Sequence, residues 1–170
     1  MALTIRPEAA PDRQAVFAVN AAAFETSSEA DLVEALRASE QPTVSLVAEL
    51  DGRIVGHILF SPVIARADDS ARIMGLGPMA VAPEHQGKGI GSALVRAGLD
   101  ACRELGVRAI VVLGHPGYYP RFGFVPASRF GIHCEYDVPD DTFMALELVA
   151  GGLSGIRGPV RYHEAFDQAS

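Results

Sequence analysis

Apolar residues change period several times along this chain, and each change marks an element. Leu3-Thr4-Ile5 alternates as a short strand does. Pro7 and Pro11 then punctuate the entry to a helix predicted from about Pro11 to Phe24, with Val16, Val19, Ala23 and Phe24 on one stripe. Ser27 or Ser28 caps a second helix, with Glu29 and Asp31 in its first turn, Leu32, Val33, Ala35 and Leu36 on its apolar side, and Pro42 barring its continuation. Val44 to Leu50 and Ile54 to Ala65 flank Asp51-Gly52, a pair that favours the primed turns of a β-hairpin. Asp68-Asp69-Ser70 reads as another turn before a strand from Arg72 to Val81, in which Gly75, Gly77 and Pro78 interrupt the ladder and mark an edge or a bulge. Ile90, Leu94, Ala97, Ala101 and Leu105 recur at helical spacing, and Gly106 stops that helix. Ala109 to Leu113 is a short, continuously apolar strand of the kind buried on both faces. Pro116 to Phe122 reads as a short helix, Phe143 to Val149 as a last clear strand, and Gly151 to Gly158 as a turn-rich passage into a tail without a definite pattern.

The order of these elements predicts an α/β fold: a mixed, mostly antiparallel twisted sheet with helices on both faces. At 170 residues the chain suits one domain, with residues 151–170 as a C-terminal extension of undefined structure. Hydrophobic residues at 49% and charged residues at 21% are ordinary for a folded globular protein. No basic region followed by an apolar export segment opens the chain, and no apolar run approaches the roughly twenty residues of a membrane span, so a cytoplasmic protein is expected. Cys102 and Cys134 match neither a disulfide framework nor a CxxC pair, and no HExxH-type spacing implies a metal. A formal net charge of −7 argues against a nucleic-acid partner and suits a cationic one.

That negative charge makes Gln86-Gly87-Lys88-Gly89-Ile90-Gly91, between a strand and a helix, stand out. Closely spaced glycines allow positive φ and bring backbone amides near a ligand, while the following helix start presents unpaired N–H groups and the positive end of its dipole. This is an anion site that depends little on side chains, with Lys88 as a nearby cation. A Walker loop requires Ser or Thr after its lysine, and Gly89 follows Lys88. Gly87, Gly89 and Gly91 fit only part of a dinucleotide fingerprint. The spacing Gln-x-x-Gly-x-Gly, after Met79-Ala80-Val81 and before a long helix, instead resembles the acetyl-CoA loop of the GNAT N-acetyltransferase superfamily. Downstream, Tyr118-Tyr119-Pro120-Arg121-Phe122-Gly123-Phe124 carries Tyr-x-x-x-Gly-Phe, which resembles the second GNAT signature. The resemblance runs from about Leu3 to Val149.

What the resemblance implies is an acetyl-CoA-dependent N-acetyltransferase that uses acetyl-CoA as co-substrate, needs no metal, and passes the acetyl group to a primary amine by direct attack. It implies a bulge near Gly77-Pro78 that splays two parallel strands and opens a slot for the pantetheine arm. The Met79 or Val81 backbone would then donate to the thioester oxygen, with Ala80 between them. Gln86, Gly87, Lys88, Gly89, Ile90, Gly91 and Ser92 would hold the pyrophosphate. Tyr119 would act on the departing thiolate as general acid or as hydrogen-bond donor; Tyr118 and Arg121 read as packing or surface residues. Freeing a lysine-like amine at pH 7 costs about 4 to 5 kcal/mol, so a base is sought, and Glu25 or His57 are its candidates. The acceptor, an amine-bearing small molecule or a protein amine, is not specified by these residues. Two contrasting readings are a non-catalytic acyl-CoA-binding sensor, which could dispense with Tyr119, and a dinucleotide oxidoreductase. The last strand and tail offer a possible homodimer contact.

Overall fold

The structure, a computed structural model, describes residues 2–39, 43–65, 72–163 and 165–166. Strand β1 (Leu3–Pro7) leads into helices α1 (Arg13–Ala23) and α2 (Ser28–Ala38), followed by β2 (Val44–Leu50), β3 (Arg53–Pro62) and β4 (Ile64–Ala65). Then come β5 (Ile73–Val81), α3 (Ile90–Glu104) and β6 (Ala109–Leu113). Short strands β7 (Val125–Pro126) and β8 (Ile132–Cys134) precede β9 (Phe143–Glu147) and β10 (Gly158–Arg161).

Seven strands form the main sheet in the order β1-β2-β3-β5-β6-β9-β7, antiparallel throughout except for β5 and β6. Positive φ at Asp51 and Gly52 closes the β2–β3 hairpin with the turn that its Asp-Gly pair favours. Alternation along each strand then decides what every face buries. Ile58, Phe60, Leu76, Ile110 and Val112 meet Leu94 and Leu99 of α3. On the opposite face, Val47 and Leu59 pack under Val16, Leu32 and Leu36 of α1 and α2. Farther along that face the cover is not a helix but a second sheet, ordered β4-β10-β8, whose Val160 and Ile132 pack with Ala109, Val111 and Ala145.

Several expectations are adjusted. The run from Ile54 to Ala65 is two strands, because Val63 breaks it and sends β4 to the small sheet. Residues 116–122 hold only a 3₁₀ turn at Tyr119–Phe122, where Pro120 withholds an amide and Gly123 ends the turn at φ 101°. The last strand of the main sheet ends at Glu147, and the tail contributes β10 at the centre of the small sheet. Neither serine caps α2 with its side chain; Thr26 Oγ1 accepts the Ser28 amide at 3.2 Å instead. Pro42 and Asp68-Asp69-Ser70 lie outside the described residues.

Helix α3 approaches β3 closely at Gly98, where an added Cβ would lie 2.2 Å from Cε1 of the fully buried Phe60 ring. Gly98→Ala therefore sets a helix-propensity gain of about 1 kcal/mol against overpacking worth about 1–3 kcal/mol. Overpacking wins, because the ring has nowhere to go. Urea unfolding should show a lower midpoint with an unchanged slope; a higher midpoint would mean that the α3–β3 contact is looser than described.

Candidate active site

The centre of the sheet is opened by β5. Ile58 faces Met79 and Phe60 faces Leu76, so Gly77 and Pro78, joined by a cis peptide, oppose Leu59 alone and bulge. Gly77 sits at φ 146°, where glycine is favoured. Beyond the bulge β5 stays with β3 but leaves β6: their parallel pairing ends at Leu76 opposite Val112. The Ala82 amide donates to Val55 O at 2.8 Å, so alternation turns the Ala80 amide toward β3 and those of Met79 and Val81 away from it, into the gap. Gln86 Nε2 donates to Val81 O at 3.0 Å from that open side and ties the following loop to the strand.

The loop and the start of α3 form the floor of a cavity of about 440 Å³. Gly87 and Gly89 adopt φ 79° and 83°, and the first intrahelical bond of α3 runs from the Ala93 amide to Gly89 O at 3.0 Å. The amides of Ile90, Gly91 and Ser92 therefore precede the helical ladder and have no intrahelical acceptor. Met79, Ala80, Val81, Gln86, Gly87, Gly89, Ile90, Gly91 and Ser92 all line this cavity. Lys88 does not; it is exposed, with Nζ 3.4 Å from His85 Nδ1. The cation on the wall is Arg121, whose guanidinium lies 4.4 Å from the Tyr118 ring centroid while Nε donates to Tyr118 O at 2.9 Å. Tyr118 also lines the cavity, and its hydroxyl is 2.9 Å from Ser92 Oγ. Arg121 and Tyr118 are thus site residues that the sequence reading set aside, although their place beside Tyr119 in the second signature was a signal.

A second cavity, about 620 Å³, lies across Met79, which together with Phe24 lines both. Gly77, Pro78 and Tyr119 stand on its wall. The Tyr119 ring makes edge-on contacts with Tyr118 at 5.1 Å and Phe124 at 5.8 Å, and Gly114 admits it: a Cβ there would lie 2.4 Å from its Cε2. Burial, reinforced by neighbouring Tyr118, pushes the Tyr119 phenol up to about 12, so its proton stays on oxygen across the working pH range. Glu29, in the first turn of α2, lines the same cavity. So do Tyr136, Tyr162 and Phe166, which arrive from beyond β8 and carried no local signal.

Glu25 is exposed in the bend between α1 and α2 and lines neither cavity. His57 lines neither cavity either: it is fully buried on the α1 side of β3. Ser45 Oγ donates to Glu8 Oε1 at 2.6 Å, which makes His57 Nε2 the donor to Ser45 Oγ at 2.8 Å. Nδ1 then accepts from Asn20 Nδ2 at 3.1 Å. Glu8 is in turn ion-paired with Arg37. Both ring nitrogens are satisfied in the neutral form, and this geometry gives His57 a role in holding α1 and β2 to β3 and no access to a substrate.

Desolvation first, and the Arg37 charge second, lower the His57 pKa from 6.5 to about 3. A depressed pKa means that the unfolded chain binds the proton first, so folded stability is complete above 6.5 and is lost as pH falls toward 3. Between pH 6.5 and about 4.5 this amounts to roughly 2 to 3 kcal/mol. His57→Gln should lower the urea midpoint at pH 7.5 yet flatten its decline over that window; equal slopes for both proteins would show that His57 is not the titrating group.

A strand that leaves its parallel neighbour, amides opening into the gap, and a glycine turn leading a helix define a nucleotide-thioester-binding acyltransferase. The Acetyltransferase (GNAT) family model matches residues 11–124, and the chain belongs to that family. It is 36% identical over 167 residues to the uncharacterized N-acetyltransferase YhbS of Escherichia coli strain K12, covering 98% of this chain and 99% of that protein. The crystal structure of E. coli YhbS in complex with CoA superposes with a TM-score of 0.93, covering 97% of this chain and 92% of that one. A GNAT family acetyltransferase from Brucella melitensis in complex with acetyl-CoA, 38% identical, superposes at 0.80 over 98% of this chain and 99% of its own.

Proposed function

We propose that this N-acetyltransferase binds acetyl-CoA across the two cavities and passes its acetyl group to a primary amine by direct attack. The pyrophosphate rests on the Gly87 to Ser92 amides with Arg121 as counter-charge, and the pantetheine arm runs through the gap between β5 and β6. The thioester carbonyl then meets the Met79 or Val81 amide at the junction of the cavities. An amine lone pair entering from the second cavity forms the C–N bond, the Met79 or Val81 amide stabilises the oxyanion, and the C–S bond breaks. The thiolate takes a hydrogen bond from Tyr119, and the proton lost by the amine leaves toward a carboxylate or water.

Sequence candidates for the base are Glu25 and His57, but Glu29 is the carboxylate on the cavity wall and suits that task better. Freeing the amine costs about 4 to 5 kcal/mol at pH 7, and an adjacent carboxylate also draws the ammonium into place. One observation carries this reading: Met79 lines both cavities while its amide opens into the gap. The acyl-CoA sensor alternative has no counterpart to it. A cytoplasmic site of action accords with two free thiols, Cys102 and Cys134. Among the described residues no helix is long and apolar enough to cross a membrane, and none of the His, Cys, Asp and Glu groups forms a metal-holding cluster. We read residues 1–170 as one acetyltransferase domain whose extension walls the second cavity. A homodimer contact through the last strand and tail would not be strand addition onto β10, both of whose edges are paired within the chain.

The test is thiol release from acetyl-CoA over a panel of primary amines, with the acetamide identified by mass. Amine-dependent release with stoichiometric acetamide supports transfer. Thermal stabilisation by NAD in preference to acetyl-CoA, with no thiol released, would overturn it.

A further inference from the structure

The second cavity is built largely from aromatic and aliphatic side chains, and its Tyr136, Tyr162 and Phe166 wall lies outside the family-model match at residues 11–124. Tyr136 and Tyr162 stack at 6.3 Å with an interplanar angle of 15°, and Phe166 leans on Tyr162 at 5.0 Å. Strand β10, paired with β4 and β8, brings Tyr162 to this wall. Opposite in character is Glu29, the one charged group among the described residues that line the cavity.

We propose that the acceptor is a monoamine carried on a flat aromatic body: its ammonium is held by Glu29, and its ring is held by the Tyr136, Tyr162 and Phe166 wall. This rests on the transfer reading above. The chemistry separates acceptor classes. A polyamine would bring further ammonium groups into an apolar chamber with no second carboxylate among the described residues lining it, and a free amino acid would set its own carboxylate against Glu29. A ring of indole or phenol size offers the wall stacking contact, and a single cation matches a single anion. Tyr162 and Phe166 of the C-terminal extension thus share the choice of acceptor with Tyr136 and with Glu29 of α2.

Steady-state thiol release with tryptamine, tyramine, spermidine and lysine, at saturating acetyl-CoA, tests this on the full chain. For tryptamine or tyramine, kcat/KM should exceed that for spermidine and lysine by about 30-fold or more. Glu29→Gln should raise the aromatic amine KM about tenfold and also lower kcat, since the same carboxylate receives the amine proton, and leave the acetyl-CoA KM unchanged. Phe166→Ala, at a partly exposed position, should raise the amine KM about five- to tenfold, again without effect on acetyl-CoA. Preference for spermidine or lysine would leave transfer standing and overturn the acceptor class, as would unchanged amine KM values in both variants. If none of the amines releases thiol although acetyl-CoA stabilises the protein, the transfer reading itself fails and this inference with it.

Discussion

Tyr119→Phe is expected to lower kcat by about 10²-fold or more while the acetyl-CoA KM moves less than about threefold. The ring is fixed by edge-on contacts to Tyr118 and Phe124 and by the space over Gly114, all of which phenylalanine keeps. Only the hydroxyl disappears. Because burial holds that phenol at about 12, it is a neutral donor at every usable pH. Handing its proton fully to a thiolate whose thiol has an ordinary pKa near 8.5 would run uphill by about 5 kcal/mol, although burial that raises the phenol raises the thiol as well. A hydrogen bond that strengthens as charge develops on sulfur avoids that cost, and we assign Tyr119 that role. The wild-type pH profile should accordingly show no loss of kcat from tyrosine ionisation between pH 7 and about 10. A Tyr119→Phe variant with wild-type kcat would remove the residue from the chemistry.

Gly89→Val is the second large effect. Gly89 stands at φ 83° immediately before α3, and an added Cβ would meet nothing within 4 Å. The penalty is therefore purely conformational: about 1–2 kcal/mol for any L-residue in the left-handed region, and more for a β-branched one. The turn escapes by rotating, which removes the amides of residues 89–92 from their common focus. Acetyl-CoA affinity should fall about 10- to 100-fold by calorimetric titration. Gly52 provides the control, since it has φ 80°, equally open space and a position in the β2–β3 hairpin, lining neither cavity. Gly52→Val should reduce stability to a similar extent and leave acetyl-CoA affinity intact. Equal affinity losses in both variants would mean that global destabilisation, not the turn, is being read.

What the sequence disclosed follows from how locally each feature is encoded. The Gly87-Lys88-Gly89 turn, the Gly77-Pro78 interruption and the apolar spacing of α3 are written within a few residues, and each lies where its chemistry predicts. The acceptor wall was not legible. Tyr162 and Phe166 enter the cavity only because β10 pairs with β4 and β8, partners almost a hundred and under thirty residues earlier, and neither pairing leaves a mark on the short sequence Gly158–Arg161. Glu29 was visible as a first-turn residue of α2, where dipole complementarity accounts for it fully; only the cavity it shares with Pro78 and Tyr119 turns it toward chemistry. His57 misled for the opposite reason. A histidine in a strand near the active centre suggests a base, yet strand parity sends it to the α1 face and into Asn20 and Ser45.

The most direct measurement is a crystal structure of this chain with acetyl-CoA. The account predicts pyrophosphate oxygens about 3 Å from the amides that follow Gly87, near Arg121, and the thioester oxygen at the Met79 or Val81 amide. Acetyl-CoA bound elsewhere, or those amides turned inward onto protein acceptors, would contradict it.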